Sequence, residues 1–232
     1  MEGDKTMPKT RQEYIHQLAA LQDKVAVMGE MARLEVSHAM EALLHNDKAQ
    51  AEKVMAADDN VDHLLVEIED RCLILTAKQQ PLAHDLRIIA TALKIGGDLE
   101  RIGDHAYDIA RTVREVDVPL DAERLNKVQE LSNWSLAMVA QAMQAYRESD
   151  IKLADAVRDM DAHMDKLFEQ AFYALSEYVT QAETTQRVHA AQLLFIVRFL
   201  SRIGDHAVNI AESTIYLETA QRVHTHKHTA DA

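Results

Sequence analysis

The sequence has few of the residues that interrupt helices. Among 232 residues there are six glycines and three prolines, well below the usual share of these two types. Aromatic residues make up 5 % of the chain, whereas apolar residues as a whole make up 47 %. A core of small and aliphatic side chains favours helices packed on helices over a β-sandwich. The composition therefore predicts a few long helices.

The chain also lacks a second cysteine and any long apolar run. Cys72 lies in the apolar stretch CLIL; one cysteine cannot form a disulfide within a chain, which suits a reducing compartment, and we predict a core position for it. No segment approaches the roughly 20 apolar residues of a membrane span. The opening MEGDKTMPKT lacks the apolar stretch of a signal peptide. We expect a cytoplasmic protein that contacts membranes only through its partners.

Basic residues are outnumbered in this chain. The 25 lysines and arginines stand against 38 aspartates and glutamates, which gives a net charge of −13. Nucleic acid is not expected as a partner, because binding its phosphates requires a basic surface. Metal ions or a basic protein surface suit an acidic chain better.

What the sequence does contain is an internal repeat. Residues 99–110 read LERIGDHAYDIA and residues 200–211 read LSRIGDHAVNIA, at an offset of 101 residues. Farther upstream, residues 39–62 match residues 142–165 at an offset of 103. Self-similarity over this length predicts two copies of one unit of about 100 residues.

The breaks between apolar, helically spaced segments predict three helices in each unit. Turn and N-cap residues stand at Asn46-Asp47 and at Ser149-Asp150, and further breaks stand at QQPLAHD, VPLD and TQAETTQ. The predicted fold is all-α, with two tandem, pseudo-twofold related three-helix bundles of long antiparallel helices. The predicted helices lie near residues 10–44, 48–79, 82–115, 121–147, 150–179 and 185–219.

The same reasoning divides the chain into four parts. Residues 1–9 are expected to be a disordered tail, 10–118 the first bundle and 119–219 the second bundle. Residues 220–232 form a tail with three histidines, for which a frayed, solvated end is favoured over a metal-binding segment.

The repeated phrase carries a row of acids. Glu100, Asp104 and Asp108 are spaced four residues apart, so they line one face of a helix, and Asp58 and Asp62 form a second pair on the preceding helix. Each bundle can therefore present two rows of carboxylates from adjacent helices. In the second half the corresponding candidates are Asp161, Asp165, Asp205 and Asn209.

Facing rows of like charge favour a bound cation over an empty surface. Like charges four residues apart weaken a helix by about 0.2–0.5 kcal/mol, and carboxylate oxygens suit iron, manganese, magnesium or calcium, with zinc also open. The competing interpretation is a solvated acidic face. Recurrence in both halves favours metal, as do Gly103 and Gly204, because a mid-helix glycine costs about 1 kcal/mol against alanine. These glycines predict close approach of a packed helix or of a coordinated site.

Basic residues flank the acids in both copies. Arg101 and Arg202 lie about 100° around the helix from the first position of the motif, and we predict surface ion pairs for them. His105 and His206 also point away from the carboxylate face. They are predicted to be polar residues beside the site or on the surface, not ligands.

Three strings carry a resemblance to a known family: AKQQPLAHDLR at 77–87, DLERIGDHAYDIA at 98–110 and SRIGDHAVNIA at 201–211. The chain resembles the PhoU family of phosphate-specific transport accessory and regulatory proteins, from about residue 12 to 219. The E(D)xxxD motif of that family stands here as Asp58–Asp62, Glu100–Asp104 and Asp161–Asp165.

The resemblance implies two related three-helix bundles with multinuclear metal clusters on their surface, iron foremost. It also implies a negative regulator that acts between a high-affinity phosphate ABC transporter, with its ATPase and transporter subunits, and a sensor histidine kinase. Long amphipathic helices often self-associate, so we also expect a homodimer.

The second repeat departs from the family pattern. Ser201 stands where the first half has Glu100, and Asn209 replaces Asp108. We predict that the second site binds metal more weakly or holds fewer ions. Glu212, seven residues after Asp205, is the candidate for partial compensation.

Two other classes of function compete with this one. Glu-x-x-His pairs like those of di-iron enzymes occur at Glu13–His16 and Glu35–His38, but they lie about 33 Å apart on one predicted helix. No glycine-rich phosphate loop, G-x-S-x-G or cysteine nucleophile motif is present, so an enzyme is not expected. The remaining alternative is a metal-free helical adaptor whose acidic faces dock a basic partner.

Overall fold

The computed structural model of the chain describes residues 9–78, 81–115 and 122–223, and within these ranges every regular element is a helix. The six helices are α1 (Lys9–His45), α2 (Lys48–Lys78), α3 (Ala83–Glu115), α4 (Ala122–Glu148), α5 (Ile151–Gln181) and α6 (Thr184–Thr219). Each bound lies within two residues of the predicted one, so the prediction of six long helices is confirmed. Most of both predicted tails, and the boundary between the bundles, lie outside the described residues.

One turn design serves both halves. Asn46 and Ser149 adopt positive φ angles of 49° and 52°. The following residues, Asp47 and Asp150, donate their backbone N–H to the carbonyl five positions back at 2.9 Å, which is the Schellman ending of a helix. Both aspartate side chains then accept backbone N–H groups from the first turn of the next helix. The same residue pair therefore ends one helix and begins the next, as the sequence predicts.

Helix packing places the repeated phrases at the centre of the molecule. Within each half the three helices pack on one another, and across the halves α3 packs along α6 and α1 along α4. Among the described residues, α2 and α5 contact only helices of their own bundle. The two copies of the acid-rich phrase thus lie on neighbouring central helices.

The core is aliphatic and includes sulfur-containing side chains, among them Cys72, whose predicted core position is confirmed. Met28 and Met138 are fully buried. Cys72 is buried too, and its Sγ donates to the carbonyl of Ile89 at 3.7 Å. Each fully buried Leu, Ile or Met contributes about 1.5–3 kcal/mol, so this core holds both bundles together without disulfides.

The junction between α3 and α6 contains both histidines of the repeat. Asp98 Oδ1 lies 2.9 Å from Nδ1 of His206 and accepts from Nδ2 of Asn209 at 3.0 Å. His105 instead stacks on Phe199 with ring centroids 5.5 Å apart. Both histidines face the junction, where His206 meets a carboxylate outside the predicted rows. A position on the outer surface is wrong for both, because each is half-buried between the bundles.

Candidate metal centre

Two adjacent helices of the first bundle bring the predicted acids together. Asp58 and Asp62 lie on α2, and Glu100, Asp104 and Asp108 follow one another by one turn on α3. The charges of Asp62 and Asp104 both act on Asp58, so the two rows face each other. This gathering matches the pattern predicted from the spacing.

A third helix adds a carboxylate that the sequence analysis did not assign to the site. Glu35 of α1 is only 7 % exposed, and it forms no hydrogen bond or ion pair with any described residue. The charges of Asp58 and Asp62 act on it, so it belongs to the same group. We call the following set the first carboxylate patch: Glu35, Asp58, Asp62, Glu100, Asp104 and Asp108.

A signal for Glu35 exists in the sequence. Its helical neighbours Ala32, Val36 and Ala39 are all fully buried, so a glutamate interrupts an otherwise apolar stripe of α1. An acid on a core-facing stripe is costly unless something compensates its charge. Sequence reasoning considered Glu35 only as half of a Glu-x-x-His pair and therefore missed its role.

Burial and mutual repulsion raise the pKa values of this patch. Burial raises the pKa of Glu35 to about 7, and the charges of Asp58 and Asp62 add to the effect. The pKa of Asp58 rises to about 6, again mainly through burial, with Asp62 and Asp104 contributing. Burial likewise raises the pKa of Glu100, with repulsion from Asp104 added. Keeping several buried carboxylates ionised next to one another costs free energy, and a bound cation would offset that cost.

Arginines neutralise the outer part of the patch. Arg101 places its guanidinium 2.7 Å from Asp104 and 3.3 Å from Glu100, and Arg111 lies 2.8 Å from Asp108. Arg101 is 60 % exposed, so the predicted surface ion pair is confirmed. Pairs this exposed contribute at most about 1 kcal/mol, which a multivalent cation can readily exceed.

Gly103 keeps the space between the carboxylates open. A Cβ atom on this residue would stand 3.5 Å from Oε2 of Glu35, 3.6 Å from Oδ1 of Asp58 and 3.4 Å from Val61. Both oxygens therefore border the one place that the missing side chain leaves free. Both features offered as explanations lie beside this glycine, because Val61 belongs to the packed helix α2 and the two oxygens belong to carboxylates.

The donor chemistry of the first patch suits a hard cation, although its side chains do not converge on a single point. All six side chains offer oxygen, the ligand atom that iron, manganese, magnesium and calcium accept. Across residues 9–78, 81–115 and 122–223, no three Asp, Glu, His or Cys side chains already converge as a metal site. Binding would require Glu100 and Asp104 to turn away from Arg101.

The second bundle keeps three of the predicted acids. Asp161 and Asp165 lie on α5 and Asp205 on α6, and we call these three the second carboxylate patch. Met164 of α5 packs against Gly204, the neighbour of Asp205, so the two rows adjoin the same helix contact. Arg202 pairs with Asp205 at 2.8 Å, as Arg101 does with Asp104.

The thioether of Met138 occupies the place that the carboxylate of Glu35 occupies in the first bundle. A Cβ on Gly204 would stand 3.1 and 3.2 Å from Cγ and Cε of Met164 and 3.6 Å from Sδ of Met138. At the repeat offset of 103, Met138 corresponds to Glu35 and Met164 to Val61. Close helix packing therefore describes the surroundings of Gly204.

The remaining candidates of the second half are Asn209, Ser201 and Glu212. The amide of Asn209 donates to Asp98 in the junction, and Ser201 is buried. Glu212 lines a pocket with Thr91 and Lys94 of α3, so it faces the junction and does not replace the missing acids. The metal prediction for this half thus depends on the second carboxylate patch alone.

The fold and site define a class: all-α proteins of two repeated three-helix bundles, each with carboxylates on adjacent helices. The PhoU domain model matches residues 25–113 and again residues 128–214. The chain belongs to the PhoU family, which confirms the resemblance seen in its motifs.

Relatives of similar length support the assignment. The chain is 34 % identical to a phosphate-specific transport system accessory protein PhoU homolog of Clostridium acetobutylicum, over 92 % of this chain and 98 % of that one. It is 32 % identical to the homolog of the same name from Pseudomonas aeruginosa, over 89 % and 85 %.

Solved structures show the same fold. The crystal structure of PhoU from Pseudomonas aeruginosa superposes with a TM-score of 0.84 at 30 % identity and covers 90 % of this chain and 100 % of that one. The phosphate transport system regulatory protein PhoU from Streptococcus pneumoniae gives 0.83 at 26 % identity, over 91 % and 99 %. Among the described residues, no helix is both long and apolar enough to cross a bilayer.

Proposed function

We propose that this protein is a metal-binding negative regulator of phosphate uptake and phosphate-starvation signalling. Its relatives are named as accessory proteins of a phosphate-specific transport system. In this proposal the chain acts in the cytoplasm as a homodimer, between the ATPase and transporter subunits of a phosphate ABC transporter and a sensor histidine kinase. It restrains uptake and holds the kinase pathway off when phosphate is ample.

One observation carries the metal part of this proposal: six carboxylates from three helices adjoin one another, and the charges that raise the pKa values of Glu35 and Asp58 are those of other acids. Glu35 and Asp58, the pair with the largest rise in pKa, border the space above Gly103. Iron is the ion we propose first, because the family resemblance implies it and oxygen ligands accept it.

The chain's own residues would hold the ion and would present a surface to a partner. Asp58 and Asp62 would hold the ion from α2, and Glu100 and Asp104 would hold it from α3, so that these side chains would tie the two helices together. A bound multivalent cation supplies positive charge that offsets the repulsion between these rows. The neutralised face then presents a defined surface on which a partner docks.

The metal content of the protein tests the proposal. Tag-free protein purified without chelator is compared with the double variant Glu100→Ala, Asp104→Ala by elemental analysis. We expect bound metal in the unaltered chain and its loss from the first patch in the variant, while circular dichroism keeps its helical signal. Equal metal content in the two proteins would remove these residues from the site.

Regulation is tested in cells that lack their own copy of the gene. A phosphate-starvation reporter should be active in phosphate-rich medium without the protein and silent when the unaltered chain is restored. A reporter that stays silent without the protein would argue against negative regulation.

A metal-free adaptor is the second candidate, and one observation favours it. Arg101 already pairs with Glu100 and Asp104, and Arg202 pairs with Asp205, so part of each patch is neutralised by the chain itself. An adaptor of this kind would restore reporter control with no metal bound to the unaltered chain.

A further inference from the structure

Glu35 is the least solvated carboxylate of the first patch. It extends from α1 toward the contact between α2 and α3, where its Oε2 comes within 3.5 Å of the position a Cβ on Gly103 would occupy. Asp58 Oδ1 stands 3.6 Å from the same point. Two carboxylate oxygens from two different helices therefore border one small space that a third helix leaves open.

Burying such a group without a partner is costly for the fold. An unpaired buried carboxylate loses its hydration and, to escape the cost, tends to hold a proton. Glu35 has neither a hydrogen bond nor an ion pair with the described residues, and its nearest charges are the acids Asp58 and Asp62. A purely structural position would be better filled by an apolar side chain.

The second bundle fills the equivalent position in that way. Met138 corresponds to Glu35 at the repeat offset, it is fully buried, and its Sδ stands 3.6 Å from the point above Gly204. The fold therefore accepts an apolar residue at this position of the repeat. The glutamate in the first bundle calls for a reason other than packing.

We propose that Glu35 is a metal ligand of the first bundle, supplied by α1 above Gly103. The second bundle lacks this ligand, because Met138 stands at the equivalent position. This inference rests on the proposed function, in which the carboxylate patches bind metal. The ligand class is a hard, oxygen-preferring cation such as Fe²⁺ or Mn²⁺, because the two polar atoms among the three nearest to the position above Gly103 are both carboxylate oxygens.

The charges of the two patches agree with this assignment. The first patch offers six carboxylates on three helices, whereas the second offers three on two helices, since Met138, Ser201 and Asn209 replace acids there. Hard cations take six or more oxygen ligands, so the second patch leaves more positions to water. The first bundle is therefore the tighter metal site.

Manganese titration of the tag-free, chelator-stripped full chain tests the proposal. Mn²⁺ is a hard divalent ion whose free and bound forms are distinguished by electron paramagnetic resonance. Glu35→Gln removes the charge at nearly constant shape, and we expect it to weaken the tightest site by roughly 10-fold to 100-fold, the range seen when groups that support a metal site are removed. Glu35→Met copies the second bundle and should give the same loss, which guards against a folding defect peculiar to one variant.

A charge-matched control lies on the same helix. Glu13 is exposed and accepts a hydrogen bond from Gln17, and it lies about 33 Å along α1 from Glu35. Glu13→Gln removes one negative charge there and should leave Mn²⁺ affinity within about twofold of the unaltered chain, because charges this distant are screened.

The outcomes separate this inference from the proposed function. Weaker binding in both Glu35 variants but not in Glu13→Gln supports the role of Glu35. If the unaltered chain binds Mn²⁺, Glu100→Ala with Asp104→Ala abolishes binding, and Glu35→Gln leaves it unchanged, the role of Glu35 is overturned while the metal proposal stands. If the unaltered chain binds no Mn²⁺ or Fe²⁺, both proposals are overturned.

Discussion

Gly103 and Gly204 occupy the same position in the two bundles, yet their surroundings differ in chemistry. Oxygens of Glu35 and Asp58 border the first glycine, whereas the side chains of Met164 and Met138 border the second. Both glycines lie within the third helix of their bundle, α3 and α6. The difference shows that the same three-helix arrangement accepts a polar site in one copy of the repeat and a packed apolar core in the other.

Three acids of the first copy have no acidic counterpart in the second. Met138, Ser201 and Asn209 stand in their places, and two of these replacements are buried outright. At these three positions the second bundle thereby avoids the cost of buried charge. The first bundle keeps that cost, which is expected of a functional site because sites often retain unfavourable local features.

The largest expected effect comes from pH, in protein kept free of metal. The folded pKa of Glu35, about 7, lies above its ordinary value of 4.5. Between pH 4.5 and pH 7 the folded state binds a proton at Glu35 that the unfolded state has released. The free energy of unfolding therefore falls as pH rises from about 4.5 toward 7. We expect Glu35 to lower the free energy of unfolding by up to about 3 kcal/mol across this window.

Urea unfolding at pH 5 and pH 8, with chelator present, measures this effect. Glu35→Gln should show a smaller loss of stability between the two pH values than the unaltered chain. Met138→Leu, at the equivalent apolar position, serves as the control and should keep the full loss. A pH dependence in Glu35→Gln identical to that of the unaltered chain would contradict the assignment.

Much of the fold was predictable because its signals are local. The pairs Asn46-Asp47 and Ser149-Asp150 carry both the positive φ and the N-cap in two adjacent residues, so they reveal helix ends without knowledge of packing. The spacing of Glu100, Asp104 and Asp108 likewise follows from helix geometry alone. These features needed no information about which helices are neighbours.

Glu35 and the two histidines could not be placed in this way. Glu35 lies more than 20 residues before Asp58 in the chain, and only the packing of α1 against α2 and α3 brings it into the patch. His105 and His206 lie in the junction because α3 packs along α6. Which helices pack against one another is a tertiary property that helix periodicity does not reveal.

A second, smaller effect is expected at the junction, where the repeat is again unequal. Asp98 accepts from His206 and Asn209, whereas its equivalent in the second half, Phe199, stacks on His105. Asp98→Ala leaves two half-buried donors without their acceptor, and we expect it to destabilise the protein by about 1–3 kcal/mol. Urea unfolding measures the loss.

A double-mutant cycle identifies the cause of that loss. If the contact of Asp98 with His206 is responsible, the combined variant Asp98→Ala, His206→Ala is less destabilised than the two single losses together. Additive losses would place the effect elsewhere. The same cycle on Phe199 and His105 gives the comparison for the other half of the junction.

The smallest expected effect returns to the two glycines. Alanine at either position gains helix propensity of up to about 1 kcal/mol, but the neighbours differ. At Gly103 the nearest atom to the new Cβ lies at 3.4 Å, an ordinary contact, whereas at Gly204 two atoms of Met164 lie at 3.1 and 3.2 Å and must shift. Metal-free Gly103→Ala should therefore be about 0.5–1 kcal/mol more stable than Gly204→Ala, as thermal unfolding with chelator can measure.

Manganese binding should be weaker in Gly103→Ala than in Gly204→Ala, because only the alanine at 103 occupies the space between Glu35 and Asp58. Two variants with equal stability and equal manganese affinity would mean that the two surroundings do not differ in the way their contacts indicate.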